Sequence, residues 1–200
     1  MVATHGFGKL PLILVLFLNL SFLPSASGNW KYKSRPDLSP PTLNITTRAT
    51  LGVFPGYIFV APYSLTSWDI PTAHGPLQPA PHIFTPSGEL VWSGFGYFVP
   101  WAWNFQTGKY KGEDVLFAFE GSWNTKRGHS HGHVKFLNKN YEAIKEVRFG
   151  NHGLLDLHEF QILDGKTALV ESYRPVPLDL KKFNVGSKTQ WIVDATFQGM

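Results

Sequence analysis

The chain has no cysteine among its 200 residues, so no disulfide can hold it and its stability must come from packing and backbone pairing. Beyond residue 23 its uncharged stretches are all broken by proline, glycine and polar residues, so none offers the continuous apolar run of a membrane-spanning helix. Helical hydrophobic periodicity is missing outside the N-terminus, which argues against a helix bundle. Charge is sparse as well, with 18 Lys+Arg against 14 Asp+Glu. So small and dispersed a surplus does not make the electrostatic footprint of a nucleic-acid binder, although it is compatible with an anionic small molecule. Nucleophile elbow, phosphate loop, HExxH and paired-carboxylate spacing are all absent.

What is present begins with a leader. Lys9, the apolar stretch Leu10 to Leu23 and the small-residue exit Ala26-Ser27-Gly28 read as a secretory signal peptide over residues 1–28. The apolar stretch is interrupted by Pro11 and Asn19 and is shorter than the roughly 20 residues of a spanning helix, so an uncleaved anchor is the weaker alternative. The mature chain would be secreted, with no membrane span. Removing the leader takes away Lys9 and no acid, leaving 17 Lys+Arg against 14 Asp+Glu. Residues 29–56, rich in proline and polar side chains, are expected to run as an extended arm. Within them Asn44-Ile45-Thr46 is an N-glycosylation sequon, which would put Asn44 on the surface if it carries a glycan.

Residues 57–200 read as one all-β domain. Tyr57 to Ala61 is an apolar β-former run closed by Pro62, predicting a buried strand. Three hairpins follow: His82-Ile83-Phe84 with Glu89 to Trp92, Val134 to Leu137 with Tyr141 to Ile144, and the strands flanking Asp164-Gly165. Val115 to Phe119 and Trp191 to Asp194 are further strands. Grouped by spacing, the strands fall into three units, Tyr57 to Trp92, Val115 to Val147 and Asp156 to Asp194. That spacing suits about three blades of a partial β-propeller, an incomplete ring, with a sandwich as the other solution.

The chemistry centres on His158. In an extended strand Asp156, His158, Phe160 and Ile162 share one face, which lines the imidazole up with apolar residues. Two readings stand: a buried histidine hydrogen-bonded to Asp156 or a backbone carbonyl, and a nucleophile or general base near a propeller axis. In Gly128-His129-Ser130-His131-Gly132-His133 the glycines suggest a loop leading into the strand at Val134. That favours a solvated or substrate-facing loop over a metal site, which needs fixed geometry. Trp101, Trp103 and Phe105 would share a face if extended, either as a wall for an aryl group or, more commonly, as packing between sheets.

Six collinear segments resemble the fungal secreted arylsulfotransferase-like (ASST) proteins. They are Ser34 to Leu38 with Pro40-Pro41 and Leu43 to Thr46; Pro55 to Tyr63; Gly88 to Gly94; Asn104-Phe105 with Tyr110-Lys111-Gly112; Asp156 to Phe160; and Trp191 to Asp194 with Phe197-Gln198. The resemblance implies a β-propeller that transfers a sulfuryl group from an aryl sulfate to a phenol through a sulfated histidine, with other histidines and an arginine around the sulfuryl group; no cofactor and no metal are expected. Only His158 carries over as a catalytic position. His129, His131, His133 and Arg174 match no functional position of the family. Family members continue beyond the segment that resembles Phe197-Gln198, so an N-terminal portion is expected, with doubtful activity alone. The alternatives are a non-catalytic secreted propeller that binds a ligand or partner, and an incomplete gene product.

Overall fold

The computed structural model describes residues 35–63, 78–124, 126–184 and 189–200. The expected signal peptide lies outside them, as does the start of the arm. Residues 35–57 form no strand or helix, and Asn44 is exposed on them. The other described residues are all-β, with one 3-10 turn among them at Leu180–Phe183. No helix among the described residues is long and apolar enough to cross a membrane.

Among the described residues ten strands form three antiparallel sheets, each wound in chain order. Sheet I holds β1 (Ile58–Val60), β2 (His82–Phe84) and β3 (Leu90–Ser93). Sheet II holds β4 (Ala102–Tyr110), β5 (Glu113–Asn124), β6 (His129–Leu137) and β7 (Ala143–Val147). Sheet III holds β8 (Phe160–Leu163), β9 (Thr167–Asp179) and β10 (Thr189–Gly199). None of the three closes on itself. These are the three units expected from strand spacing, with β4 added to the second. The first strand is half-buried rather than buried, because β1 is an edge strand of sheet I.

Sheet II is covered on both faces, which explains its near-continuous apolar central strand. Val115, Phe117 and Phe119 of β5 enter the main core with Val134, Phe136, Leu155, Phe160 and Val170, while Ala118 turns the other way toward Phe98, Ala102 and Leu137. Rings of Phe117, Phe136 and Phe160 meet with centroids 5.2 to 5.8 Å apart and join sheet III to sheet II. Burying each such phenylalanine contributes about 1.5–3 kcal/mol. On the other side Phe59 packs on Phe105 at 5.3 Å and joins sheet I to sheet II.

The three aromatics after Pro100 do not share a face. Asn104 has φ 51° and the β4–β5 register gains a residue between Trp103 and Gln106. This bulge resets the alternation: Trp103 enters the main core, whereas Phe105 packs in the smaller cluster beside Trp92. They are packing residues between sheets, not one wall.

At the third hairpin the expected turn chemistry holds. Asp164 and Gly165 take φ 51° and 70°, and Asp164 Oδ1 accepts hydrogen bonds from the amides of Lys166 and Thr167. Strand β9 then continues through Pro175 and Pro177 to Asp179, further than the sequence suggests. The Glu171 carbonyl accepts from the Asp156 amide, so odd-numbered residues of β9 direct their backbone polar groups away from β10. Both prolines therefore lie where the missing N–H costs no ladder bond.

Candidate active site

His158 does not lie in a strand. Strand β8 starts at Phe160, and residues 157 and 158 form a bend. The bend has a local cause: Asp156 Oδ1 accepts a hydrogen bond from the His158 amide at 2.9 Å, a side-chain turn that competes with strand extension. As a result Asp156 and Phe160 point inward, whereas the His158 side chain is 47% exposed. This corrects the expectation that Asp156, His158, Phe160 and Ile162 share one face.

Asp156 is the anchor, with its side chain fully buried. Its Oδ2 accepts from the Ser130 amide at 2.5 Å and from Ser130 Oγ at 3.1 Å. Ser130 Oγ in turn accepts from the Leu157 amide at 2.7 Å. The segment is clamped further by Gly132 N–H donating to the Leu155 carbonyl and by the Asp156 amide donating to the Glu171 carbonyl. Thus β6 of sheet II holds the carboxylate, while β9 of sheet III holds the backbone of the same residue.

The imidazole completes the arrangement. His158 Nδ1 lies 2.5 Å from Asp156 Oδ1. A carboxylate only accepts, so Nδ1 donates to it, and in the neutral form of the ring the lone pair is then on Nε2. Among the described residues nothing hydrogen-bonds to Nε2. The ring meets the edge of Tyr173 with centroids 5.9 Å apart at 83°. A hydrogen bond to Glu171, followed by burial, holds the Tyr173 phenol above its usual range, so it stays a neutral O–H.

Tyr173 also lines a cleft of about 630 Å³ with His131, His152, Arg174 and Phe197. His158 is not among the lining residues; it joins the cleft through Tyr173. Asn151 and His152 both have positive φ in the turn closed by the Gly153 amide on the Gly150 carbonyl, which carries His152 to the rim. Arg174 makes long contacts of 3.3 and 3.4 Å with Asp194 across the β9–β10 ribbon.

The histidine run corrects a second expectation. His129, His131 and His133 sit within β6, not in a loop before Val134. Gly132 is present for close approach: a Cβ there would collide with the Glu120 carbonyl on the paired strand. The rings of His129 and His131 are 5.3 Å apart, but His133 Nε2 turns to Glu120 Oε2 at 3.2 Å. Glu120 is buried and is also held by Lys135 at 2.9 Å and the Val99 amide at 2.7 Å. Among the described residues no three metal-ligating side chains converge.

Sequence reasoning reached His158 and Asp156 but missed Ser130, Glu171, Tyr173 and His152. The Ser130–Asp156 contact spans 26 residues and leaves no local signal. No curated protein and no solved structure matches the chain. Residues 106–200, which hold β5 to β10 and the entire Asp156–His158 site, do match the family model described as Arylsulfotransferase (ASST), so this span of the chain is arylsulfotransferase-like.

Proposed function

We propose that the protein is a secreted arylsulfotransferase that moves a sulfuryl group from an aryl sulfate to a phenol through a sulfohistidine at His158. The observation that carries this reading is the buried Asp156 carboxylate on Nδ1, which in the neutral ring directs the lone pair to the solvent-facing Nε2, the nucleophile. Nε2 attacks sulfur, the S–O bond to the aryl group breaks, and the departing phenolate takes a proton from solvent. The acceptor phenol then attacks the same sulfur, the N–S bond breaks, and its proton passes to solvent. Asp156 offsets the positive charge that the ring gains while it holds the sulfuryl group, the part an aspartate plays beside a catalytic histidine. The adjoining cleft supplies His131, His152 and Arg174 as donors for an anion, with Tyr173 as a neutral wall. In this reading the three meander sheets are propeller blades, and the Asp156 end of sheet III faces their common axis.

The test is turnover of 4-nitrophenyl sulfate with phenol as acceptor. Wild type is expected to release 4-nitrophenolate and to yield an acid-labile sulfuryl adduct on the peptide that contains His158. Equal rates for wild type and His158→Ala reject the assignment. The non-catalytic binding reading is favoured by one observation, the exposed apolar side chains Trp191, Val193 and Phe197 along β10. It predicts saturable ligand binding with no release of 4-nitrophenolate.

A further inference from the structure

Where the core between sheets II and III reaches the opposite end of β8 from His158, it is open. Phe136 and Lys145 are direct cross-strand partners on β6 and β7, and Val147 lies two residues on, so all three face sheet III. From sheet III, Ile162 and Ala168 are likewise paired and complete an apolar floor. The cavity between them measures about 220 Å³. At its mouth stand Lys145, from the edge strand, and Lys166, from the β8–β9 turn.

The charge at this mouth is not balanced. Arg148 is paired with Glu146 at 2.9 Å, while neither Lys145 nor Lys166 forms an ion pair among the described residues. An inward-facing lysine on an edge strand can serve only to block strand addition. That accounts for Lys145 alone; it explains neither the second ammonium from the other sheet nor an apolar cavity reaching Phe136 and Ala168.

We infer that this cavity is a second binding site, separate from His158, for a monocyclic aryl anion such as an aryl sulfonate or aryl carboxylate. The ring enters between the sheets and the anionic group stays at the mouth between Lys145 and Lys166. Size selects the ring: a dry cavity of about 150 Å³ holds benzene, so this one takes a single substituted ring. Charge selects the headgroup, since Lys145 and Lys166 both line the cavity and neither is ion-paired among the described residues, which favours one anion at the mouth. The site stands on the cavity and its charges and does not depend on catalysis at His158.

Benzenesulfonate, which has no transferable sulfuryl group, is the probe. In the full chain labelled at Ile and Ala methyls, the Ile162 and Ala168 resonances are expected to shift saturably at low salt. Methanesulfonate and phenol, which each lack half of the recognition, should produce at least about tenfold weaker effects. The surface variant Lys145→Glu/Lys166→Glu should weaken benzenesulfonate about tenfold or more while leaving the circular dichroism spectrum unchanged. Ala168→Leu, which fills the floor, should abolish the shifts at Ile162. His158→Ala should leave them as in wild type. Absence of shifts at both methyls overturns the site, as does equal response to methanesulfonate or unchanged affinity after charge reversal.

Discussion

Acid should loosen this protein through one histidine in sheet I. His82 is fully buried on β2 with its ring 5.9 Å from that of Phe84, and neither of its nitrogens makes a hydrogen bond of normal geometry, the Gln78 backbone giving only a weak interaction. Burial pushes its imidazole down to about 4 from an ordinary 6.5, partly offset by the Gln78 backbone. The folded state thus resists the proton that the unfolded chain accepts. Stability is fully present above pH 6.5 and is lost as pH falls toward 4, below which both states are protonated and no further loss follows. At 1.36 kcal/mol per pKa unit, this gap corresponds to about 3 kcal/mol, a large share of the roughly 5–15 kcal/mol that holds an ordinary domain. Asp37 beside Arg35 and Glu146 beside Arg148 are held below their ordinary carboxylate range, and both are the same in the two proteins compared below. Urea unfolding at pH 7.5, 6.0, 5.0 and 4.5, compared between wild type and the similar-volume variant His82→Leu, isolates the effect. The variant should be about 1 kcal/mol more stable at pH 7.5, because no orphaned nitrogens remain buried, and the difference should widen by about 3 kcal/mol toward pH 4. Parallel pH profiles for the two proteins would refute the reasoning.

Other consequences can be checked with single substitutions. Glu120→Ala leaves Lys135, His133 and the Val99 amide without their buried carboxylate and should cost about 3 kcal/mol or more by denaturant unfolding. Gly132→Ala places a methyl against the Glu120 carbonyl; a loss of about 1–3 kcal/mol is expected, and a wild-type midpoint would show that β6 can shift aside. Asp156→Asn should keep the fold yet lower sulfuryl transfer by at least about a hundredfold, because the amide no longer fixes the proton on Nδ1; in a serine-protease triad the same change costs about 10⁴-fold. Measuring kcat against pH distinguishes this from simple loosening, since a changed tautomer alters the profile and a loosened loop does not.

Much of the architecture is local and therefore readable. Asp164-Gly165 dictates a tight hairpin because Gly carries positive φ without cost and Asp tolerates it with its own side-chain caps. The β2–β3 and β6–β7 hairpins follow in the same way from their turn residues, and Val115 to Phe119 is apolar at successive positions because sheet II is covered on both sides. The Lys111-Gly112 turn between β4 and β5 has the same positive-φ character and could have been read, which would have completed sheet II.

Side-chain direction was decided by contacts between sheets. Alternation gave the wrong face for His158 because the Asp156 side chain bends the chain, and that carboxylate is fixed there by Ser130, 26 residues away. Alternation failed again at Asn104, where a bulge separates Trp103 from Phe105. The glycines around His131 suggest a loop, yet Gly132 serves the close approach of two paired strands, a need visible only when Glu120 lies opposite. The chain by itself determined which segments are strands and where they turn, because hydrophobic period and turn chemistry act over a few residues. Only tertiary structure decided which way His158 looks and what orients it, because an aspartate held by one sheet through its side chain and by another through its backbone exists only once they have packed.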